Sequence, residues 1–309
     1  MRRAPGRTLH AGCSIARGSK PPRYGAAWHP LPSLPQQAHK FTKILPVARI
    51  FQPASCILPP QFITMLSRLS YLYRAWRYRF RVDPAEIHYL LSTLRPGDTA
   101  VDIGCHKGGY LYWMRRRVGL HGRVYAFEPQ PRLFEYLTVI QKQLNFNNVQ
   151  LENMGLSSQT GSMTLHIPAS SSGTSPGATL NAVTESNPTD FHHHTVQVST
   201  LDAYFHAQGI RPALLKIDVE GHEWELLKGG QALLEACRPR ILMECENRHL
   251  GGGDVQDVFR FLLDLGYAGR FIHKGKLRPL AEFDAAIHQH QGPGRFWEAP
   301  DYVNNFVFE

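Results

Sequence analysis

No aspartate or glutamate occurs in the first 64 residues of this 309-residue chain, although they contain nine arginine and lysine residues. The formal net charge of +9 comes from this segment alone, because the other 25 basic residues balance the 25 acidic ones. A domain that binds a nucleic-acid duplex usually carries an excess of basic side chains on its folded surface. We therefore predict no nucleic-acid partner.

Long hydrophobic runs are also missing from the sequence. No stretch of about 18 uncharged apolar residues is present, so no membrane-spanning helix is predicted. The N-terminal charges are not followed by an apolar stretch, which argues against a secretory signal. The five cysteines show no paired spacing and no CxxC motif, a pattern typical of free thiols in a reducing compartment. These absences together predict a cytoplasmic protein.

Residues 1–64 hold ten of the 22 prolines, and proline at this density prevents the amphipathic helix of a mitochondrial presequence. We predict a disordered, basic, proline-rich extension. Residues 65–82 predict a basic amphipathic helix instead, with several arginines beside one apolar stripe. The helix either packs on the core with a solvated basic face or lies on an anionic membrane surface as a peripheral contact. The predicted stripe consists of Met65, Leu69, Leu72, Trp76 and Phe80.

From residue 83 to residue 309, short apolar runs alternate with helical patterns. This alternation predicts one α/β domain with a doubly wound, mostly parallel sheet and helices on both faces. The predicted strands are 99–104, 123–128, 149–153, 213–219, 240–245 and 302–308, and the predicted helices are 83–94, 109–118, 131–144, 223–235 and 254–265. Strand-like segments at 163–167 and 195–198 predict an inserted β-hairpin, and their Ser/Gly/Thr-rich connection, 168–194, is interpreted as a substrate lid.

Two motifs lie at the ends of consecutive predicted strands. In VDIGCHKGGY, Gly104 and Gly108 follow the first strand and precede a helix. Glycine there allows a sharp turn and a close approach of the backbone to a ligand. The next strand ends in Glu128, 24 residues after Gly104, where an acid can accept hydrogen bonds from both ribose hydroxyls. The dinucleotide fingerprint G-x-G-x-x-G is absent, which disfavours a nicotinamide-dependent oxidoreductase.

Several segments, in order, resemble the FkbM family of class I methyltransferases. They are VDIGCHKGGY, VYAFEPQP, NVQLENMGLSSQTGSMTL, ALLKIDVEGHEWELLKGG and PRILMECEN. The resemblance covers about residue 83 to the last residue. It implies a Rossmann-like, seven-stranded sheet that binds S-adenosylmethionine across the carboxyl edge of its strands.

Cofactor-binding residues are carried over from this resemblance position by position. Asp102 and Gly104 are expected on the methionine side, and Glu128 on the ribose. Asn153 and Met154 are expected to flank the adenine, although an ordinary turn residue and a core residue remain the alternatives. Three more positions complete the predicted cofactor site: Cys105, where a small residue such as alanine is commoner, Gly108 in the same loop, and Asp218, which is a candidate to order the cofactor's amino group.

Three acids and a histidine cluster at the end of the predicted strand 213–219, where open α/β sheets place their ligands. Such crowding raises a carboxyl pKa and suits it to accept a proton. Asp218, Glu220 and His222 are therefore the predicted catalytic residues, which align an acceptor oxygen and help to remove its proton. Glu223 is expected to begin the following helix.

A metal site is not predicted. Glu244 and Glu246 on the next strand complete either a substrate wall or a divalent-ion site, and the substrate wall is preferred. The adjacent histidines 192–194 point in different directions in any regular structure, so they are assigned to a polar loop.

The predicted function is methyl transfer from S-adenosylmethionine to a hydroxyl of a small molecule or a glycan. Carboxylates near the expected methyl position favour oxygen as the acceptor atom. Alternatives that stay open are a methyltransferase acting on protein or RNA and a non-catalytic module that binds S-adenosylmethionine.

Overall fold

The computed structural model of the protein describes residues 60–171, 173–182 and 190–309, with residues 60–66 described for their backbone only. Most of the extension predicted over residues 1–64 therefore lies outside the described residues. The helices are α1 (Pro60–Arg77), α2 (Pro84–Thr93), α3 (Leu111–Val118), α4 (Pro131–Gln143), α5 (Leu201–Tyr204), α6 (Glu223–Lys228), α7 (Gln231–Cys237), α8 (Val255–Asp264) and α9 (Ala285–His288). The strands are β1 (Thr99–Ile103), β2 (Arg123–Phe127), β3 (Val149–Glu152), β4 (Met154–Leu156), β5 (Gly161–Pro168), β6 (Phe191–Ser199), β7 (Leu214–Ile217), β8 (Arg240–Glu244), β9 (Gly269–His273), β10 (Lys276–Pro279) and β11 (Asn305–Phe308).

The main sheet has the strand order β10-β9-β11-β8-β7-β1-β2-β3. Its strands β3, β2, β1, β7 and β8 are parallel, while β11 runs antiparallel between β8 and β9. The predicted fold class is therefore confirmed, with one strand more than the expected seven. The two strands of this sheet that the sequence pattern did not predict are β9 and β10, which form a tight hairpin across Lys274 and Gly275, both with positive φ. All four residues of β10 are exposed, so no hydrophobic alternation marks this strand in the sequence.

Alternating side chains of the strands pack on opposite faces of the sheet, as the two-residue period of a strand requires. Val101 and Ile103 of β1 lie in one core with α5, α6, α7 and α8. Ala100 of the same strand lies in a second core with α1, α2, α3 and α4. Both faces of the parallel strands are thus covered, which is why their sequences are almost continuously apolar.

The inserted β-hairpin is present as β5 and β6, which pair antiparallel from Gly161–Val198 to Pro168–Phe191. Histidines 192–194 lie in β6, so their assignment to a polar loop is wrong. β4 pairs parallel with β6 and makes this a separate sheet of three strands. Residues 172 and 183–189 of the connection between β5 and β6 lie outside the described part, and its function as a lid stays a prediction.

Helix α1 begins at Pro60 rather than at residue 65, and a π-helical turn over Tyr78–Val82 follows it. Of the two alternatives for the apolar stripe, packing on the core is wrong, because Leu69, Trp76 and Phe80 are exposed whereas Tyr71 and Ala75 are buried. Apolar residues recur at helical spacing on both sides of this helix, so periodicity alone does not identify the buried side. Across the described residues, no helix has the length and apolar character that crossing a bilayer requires.

Candidate functional site

A cavity of ≈330 Å³ lies at the carboxyl edge of the main sheet. In open α/β sheets this edge is where ligands bind. Its walls come from the segments that follow β1, β2 and β7, from β4, from the carboxyl end of β8 and the start of β11, and from the π-helical turn and the segment after β5. Predicted site residues that line it are Asp102, Gly104, Cys105, Glu128, Met154, Asp218 and Glu220. Lining residues that the sequence analysis left unassigned include Arg74, Tyr78, Lys107, Lys216 and Asn304.

Gly104 makes the sharp bend that the sequence predicts. Its φ is +75°, and its N–H donates to the carbonyl of Phe127, at 3.0 Å, on the neighbouring strand. A Cβ at this position would lie 1.8 Å from the carbonyl oxygen of Asp218. The bend therefore requires glycine for two reasons, a left-handed backbone and the close approach of the chain after β7.

Glu128 joins the two motifs that the sequence places 24 residues apart. Its Oε2 accepts a hydrogen bond from the backbone N–H of His106, at 2.8 Å, and its Oε1 accepts one from Gln130, at 2.9 Å. Burial raises the pKa of Glu128 to about 7, and the two N–H donors oppose this rise. Each carboxylate oxygen keeps a second acceptor position, so the side chain is held in place and still has capacity for ligand hydroxyls.

Asp102 and Lys216 are neighbours because β1 and β7 pair in that register. Asp102 is fully buried, and among the described residues no hydrogen-bond donor satisfies either of its carboxylate oxygens. Its nearest cation is Lys216, whose Nζ lies 4.0 Å away. Burial raises the pKa of Asp102 to about 6, while Lys216 opposes the rise. A buried carboxylate without a donor, facing a cavity, is suited to a cationic ligand group.

Asp218 and Glu220 follow β7 and each has a basic partner. Lys216 Nζ donates to Asp218 Oδ2 at 2.8 Å, and His249 Nδ1 lies 2.9 Å from Glu220 Oε2. Burial raises the pKa of Glu220, and the hydrogen bond with His249 opposes this effect. Glu220 has a φ of +52°, and its carbonyl accepts from Thr179 Oγ1 at 2.8 Å, so the segment after β5 secures this turn.

Glu244, at the end of β8, faces the same cavity. Asn304 Nδ2 donates to its Oε1 at 2.8 Å. Burial raises the pKa of Glu244 well above its usual value, and the nearby carboxylates of Asp218 and Glu220 add to the rise. Glu246 does not line the cavity, because Arg248 and Tyr302 hold its carboxylate elsewhere. Within the described ranges, no cluster of three potential metal ligands occurs.

Three predicted site residues do not line the cavity. His222 is buried between Ser157 Oγ, 2.9 Å from its Nε2, and Asn181 Oδ1, 2.8 Å from its Nδ1. Gly108 lies under Tyr71 and Leu137, where its missing side chain serves packing. Asn153 is exposed and donates to the backbone carbonyl of Glu128 at 2.9 Å. The structure therefore gives these three residues supporting positions around the cavity.

Replacing His222 by glutamine is expected to lower stability by about 1–3 kcal/mol through lost buried hydrogen bonds, with ligand affinity unchanged. Burial lowers the pKa of His222 to about 4, so the unfolded chain binds its proton more readily. Wild-type stability should therefore fall as pH decreases from about 6.5 towards 4, and the variant should lose less over this range. Chemical denaturation at pH 7 and pH 5 measures both effects, and an equal pH dependence in the two proteins would contradict the buried neutral imidazole.

Replacing Gly104 by alanine is expected to abolish ligand binding and to destabilise the chain by about 2–4 kcal/mol, because strain at positive φ adds to a clash with backbone. Gly209 provides the matched control. It has a φ of +69° with no atom within 4 Å of an added Cβ, so Gly209→Ala should cost only about 1–2 kcal/mol. Equal melting temperatures for the two variants would show that the backbone carbonyl of Asp218 does not lie close enough to residue 104 to exclude a side chain.

Comparison with known proteins identifies the family of this chain. Residues 102–268, more than half of the chain, match the family described as the methyltransferase FkbM domain. This chain belongs to the FkbM methyltransferase family. The cofactor of the family is S-adenosylmethionine, and the cofactor predicted from the sequence is confirmed.

Individual FkbM relatives and solved structures are distant. The hexuronic acid methyltransferase AglP of Haloferax volcanii is 27% identical over 190 residues, which make up 60% of this chain and 71% of AglP. The crystal structure of methyltransferase FkbM from Methylobacillus flagellatus KT matches with 14% identity and a TM-score of 0.44 over 81% of this chain. The match spans 57% of that protein's length. An S-adenosylmethionine-dependent O-methyltransferase of Thermotoga maritima matches at 13% identity with a TM-score of 0.40, over 78% of this chain and 69% of its own.

The cavity residues have the chemistry that S-adenosylmethionine requires. The cofactor carries an ammonium group, ribose hydroxyls and an adenine ring. Asp102 offers a buried carboxylate without a donor, Glu128 offers a fixed carboxylate with free acceptor positions, and Met154 offers an apolar side chain. Gly104, which has no side chain, also lines the cavity.

Proposed function

We propose that this FkbM protein transfers a methyl group from S-adenosylmethionine to a hydroxyl of a small molecule or a glycan. The observation that carries the proposal is the carboxylate of Glu244, which lines the cavity two strands away from β1 and forms no ion pair with any residue that the structure describes. Glu244 lies in one of two parts of the cavity, and the other part, at β1 and β2, is left for the cofactor. The part at β7, β8 and β11 remains for an acceptor. The relative AglP is named a hexuronic acid methyltransferase, which supports a sugar acceptor.

In this proposal the cofactor is held by residues in β1 and in the segments that follow β1 and β2. Asp102 binds the ammonium group, and Glu128 binds the ribose hydroxyls. Lys216 donates to Asp218 and so fixes the direction of this carboxylate beside the bend at Gly104. When bound, S-adenosylmethionine supplies an activated methyl group and a positive charge.

Glu244 is the proposed general base, which accepts the proton of the acceptor hydroxyl. A carboxylate is a stronger base when burial raises its pKa, provided that it is ionised. A positive charge in the same cavity favours the ionised form, so occupation of the cofactor site prepares Glu244 for its function. Asn304 orients the carboxylate through Oε1 and leaves Oε2 for the proton. Glu220, paired with His249, is assigned to positioning the acceptor.

Transfer of a labelled methyl group tests the class of acceptor. The full chain would be incubated with methyl-tritiated S-adenosylmethionine and, separately, with the small-molecule, glycan, protein and RNA fractions of a lysate. We expect label in the small-molecule or glycan fraction, as a species about 14 mass units heavier that resists mild base, as an ether does. Label confined to protein or RNA, or label released by mild base as from a methyl ester, would contradict the proposal. Label in no fraction would favour a non-catalytic module.

A cytoplasmic location stays a prediction. Three cysteines in the described part, Cys105, Cys237 and Cys245, are free thiols. A reducing compartment maintains cysteines in this state, so the structure agrees with the prediction without testing it.

A further inference from the structure

Helix α1 and the π-helical turn expose a continuous apolar surface, here called the outer face. Its members are 41–62% exposed, although apolar side chains of this size usually pack in the interior. The rings of Tyr73 and Trp76 are stacked at 6.1 Å, and those of Trp76 and Phe80 lie 5.5 Å apart. Of the eleven large hydrophobic side chains exposed in the described residues, five belong to this short segment: Leu69, Tyr73, Trp76, Phe80 and Val82.

The charged side chains of the segment that forms the outer face have one sign. Between residues 60 and 82 the chain contains five arginines and no acid. Arg68, Arg77 and Arg81 are exposed, and the Arg81 guanidinium lies 5.7 Å from the ring of Trp76. Aromatic rings flanked by arginines suit the headgroup region of a bilayer, where the rings enter the boundary and the guanidinium groups meet anionic lipid.

The other side of the same helix belongs to the domain. Tyr71 and Ala75 are buried in the core, while Arg74 and Tyr78 line the cavity. Val82 belongs to both surfaces, since it is exposed and also lines the cavity. The outer face is therefore joined to the rim of the cavity through a single helical segment.

We propose that the outer face docks this enzyme on an anionic lipid surface and places the rim of its cavity beside the headgroups. The docking itself does not depend on methyl transfer. Its consequence, which rests on the proposed function, is that the enzyme methylates acceptors held at the membrane surface in preference to the same acceptors in solution.

Vesicle co-sedimentation of the full chain tests the docking. One set of vesicles contains phosphatidylcholine only, and the other contains about 30% phosphatidylglycerol. We expect binding to the anionic vesicles that weakens as salt is raised from about 50 to 500 mM. The triple variant Tyr73→Ser, Trp76→Ser, Phe80→Ser should bind at least about tenfold less, since buried apolar area sets the strength of such binding. The matched control removes three exposed apolar side chains elsewhere, Leu120→Ser, Leu263→Ser and Ile287→Ser, and should bind as the wild type does.

Each other outcome overturns the proposal. Equal binding by the triple variant and the wild type would assign the lipid contact to the nine basic residues of the segment 1–64. Absence of binding by the wild type would leave a second copy of the chain as the occupant, which sedimentation velocity would show as a dimer lost in the triple variant. Calorimetry with S-adenosylhomocysteine accompanies every variant. Normal affinity in the triple variant shows an intact domain and keeps a failure of docking separate from a failure of the proposed function.

Discussion

Glutamine in place of Glu244 is expected to lower kcat about 100- to 10,000-fold, the usual contribution of a positioned general base. Glutamine keeps the size of the side chain and its hydrogen bond with Asn304, but it cannot take up the acceptor proton. Since Glu244 lies at the end of β8, away from the cofactor residues on β1 and β2, the affinity for S-adenosylhomocysteine should not change.

Single-turnover rates with the acceptor fraction that the wild type labels measure this effect. As pH falls, protonation of Glu244 should slow the wild type, and Glu244→Gln should lack this dependence. Glu220→Gln is the informative control, because a positioning residue raises KM more than it lowers kcat. A normal rate for Glu244→Gln together with a lost rate for Glu220→Gln would transfer the role of base to Glu220.

Alanine in place of Glu128 is expected to weaken binding of S-adenosylhomocysteine about 10- to 100-fold, since hydrogen bonds to a charged group contribute about 1.5–3 kcal/mol. The change also removes the acceptor for the backbone N–H groups of His106 and Gln130, which loosens the loop after β1. Because the pKa of Glu128 is about 7, the ionised form increases as pH rises. Wild-type affinity should therefore increase from pH 6 to pH 8.

Titration calorimetry measures both expectations for Glu128. Glu152 is the matched control, because it ends the adjacent strand β3 but lies outside the cavity. Its carboxylate accepts hydrogen bonds from Tyr204 and Gln150. Glu152→Ala should bind S-adenosylhomocysteine as the wild type does. Equal weakening in both variants would indicate a general loss of structure at this edge.

The sequence predicts the parts of the fold that depend on local pattern. Strands β1, β2 and β7 are buried on both faces, so their apolar runs are easily recognised. β9 and β10 were missed, because β9 buries only Phe271 and Ile272 and the four side chains of β10 are all exposed. The sequence left open whether the apolar stripe of α1 packs on the core, because apolar residues occupy both sides of the helix. The packing of Tyr71 against Tyr112 and Phe146 identifies the buried side.

In the site as well, the sequence predicts the positions that follow from strand order but not those that depend on tertiary contacts. Gly104 and Glu128 follow consecutive strands of a parallel sheet, so their proximity follows from strand order alone. Lys216 lies beside Asp102 because β7 pairs with β1. Asn304 reaches Glu244 only because β11 runs antiparallel beside β8. His222 was chosen for its closeness in sequence to Asp218 and Glu220. In the turn after β7, however, neighbouring side chains point in different directions, and His222 turns towards Ser157.

A crystal structure of the chain with S-adenosylhomocysteine tests most directly whether the bend at Gly104 and the carboxylate of Glu128 hold one cofactor. We expect the ribose hydroxyls within hydrogen-bonding distance of Glu128, and the amino-acid part of the ligand beside Gly104 and Asp102. Electron density for the ligand in any other cavity, or a ribose without contact to Glu128, would contradict this assignment.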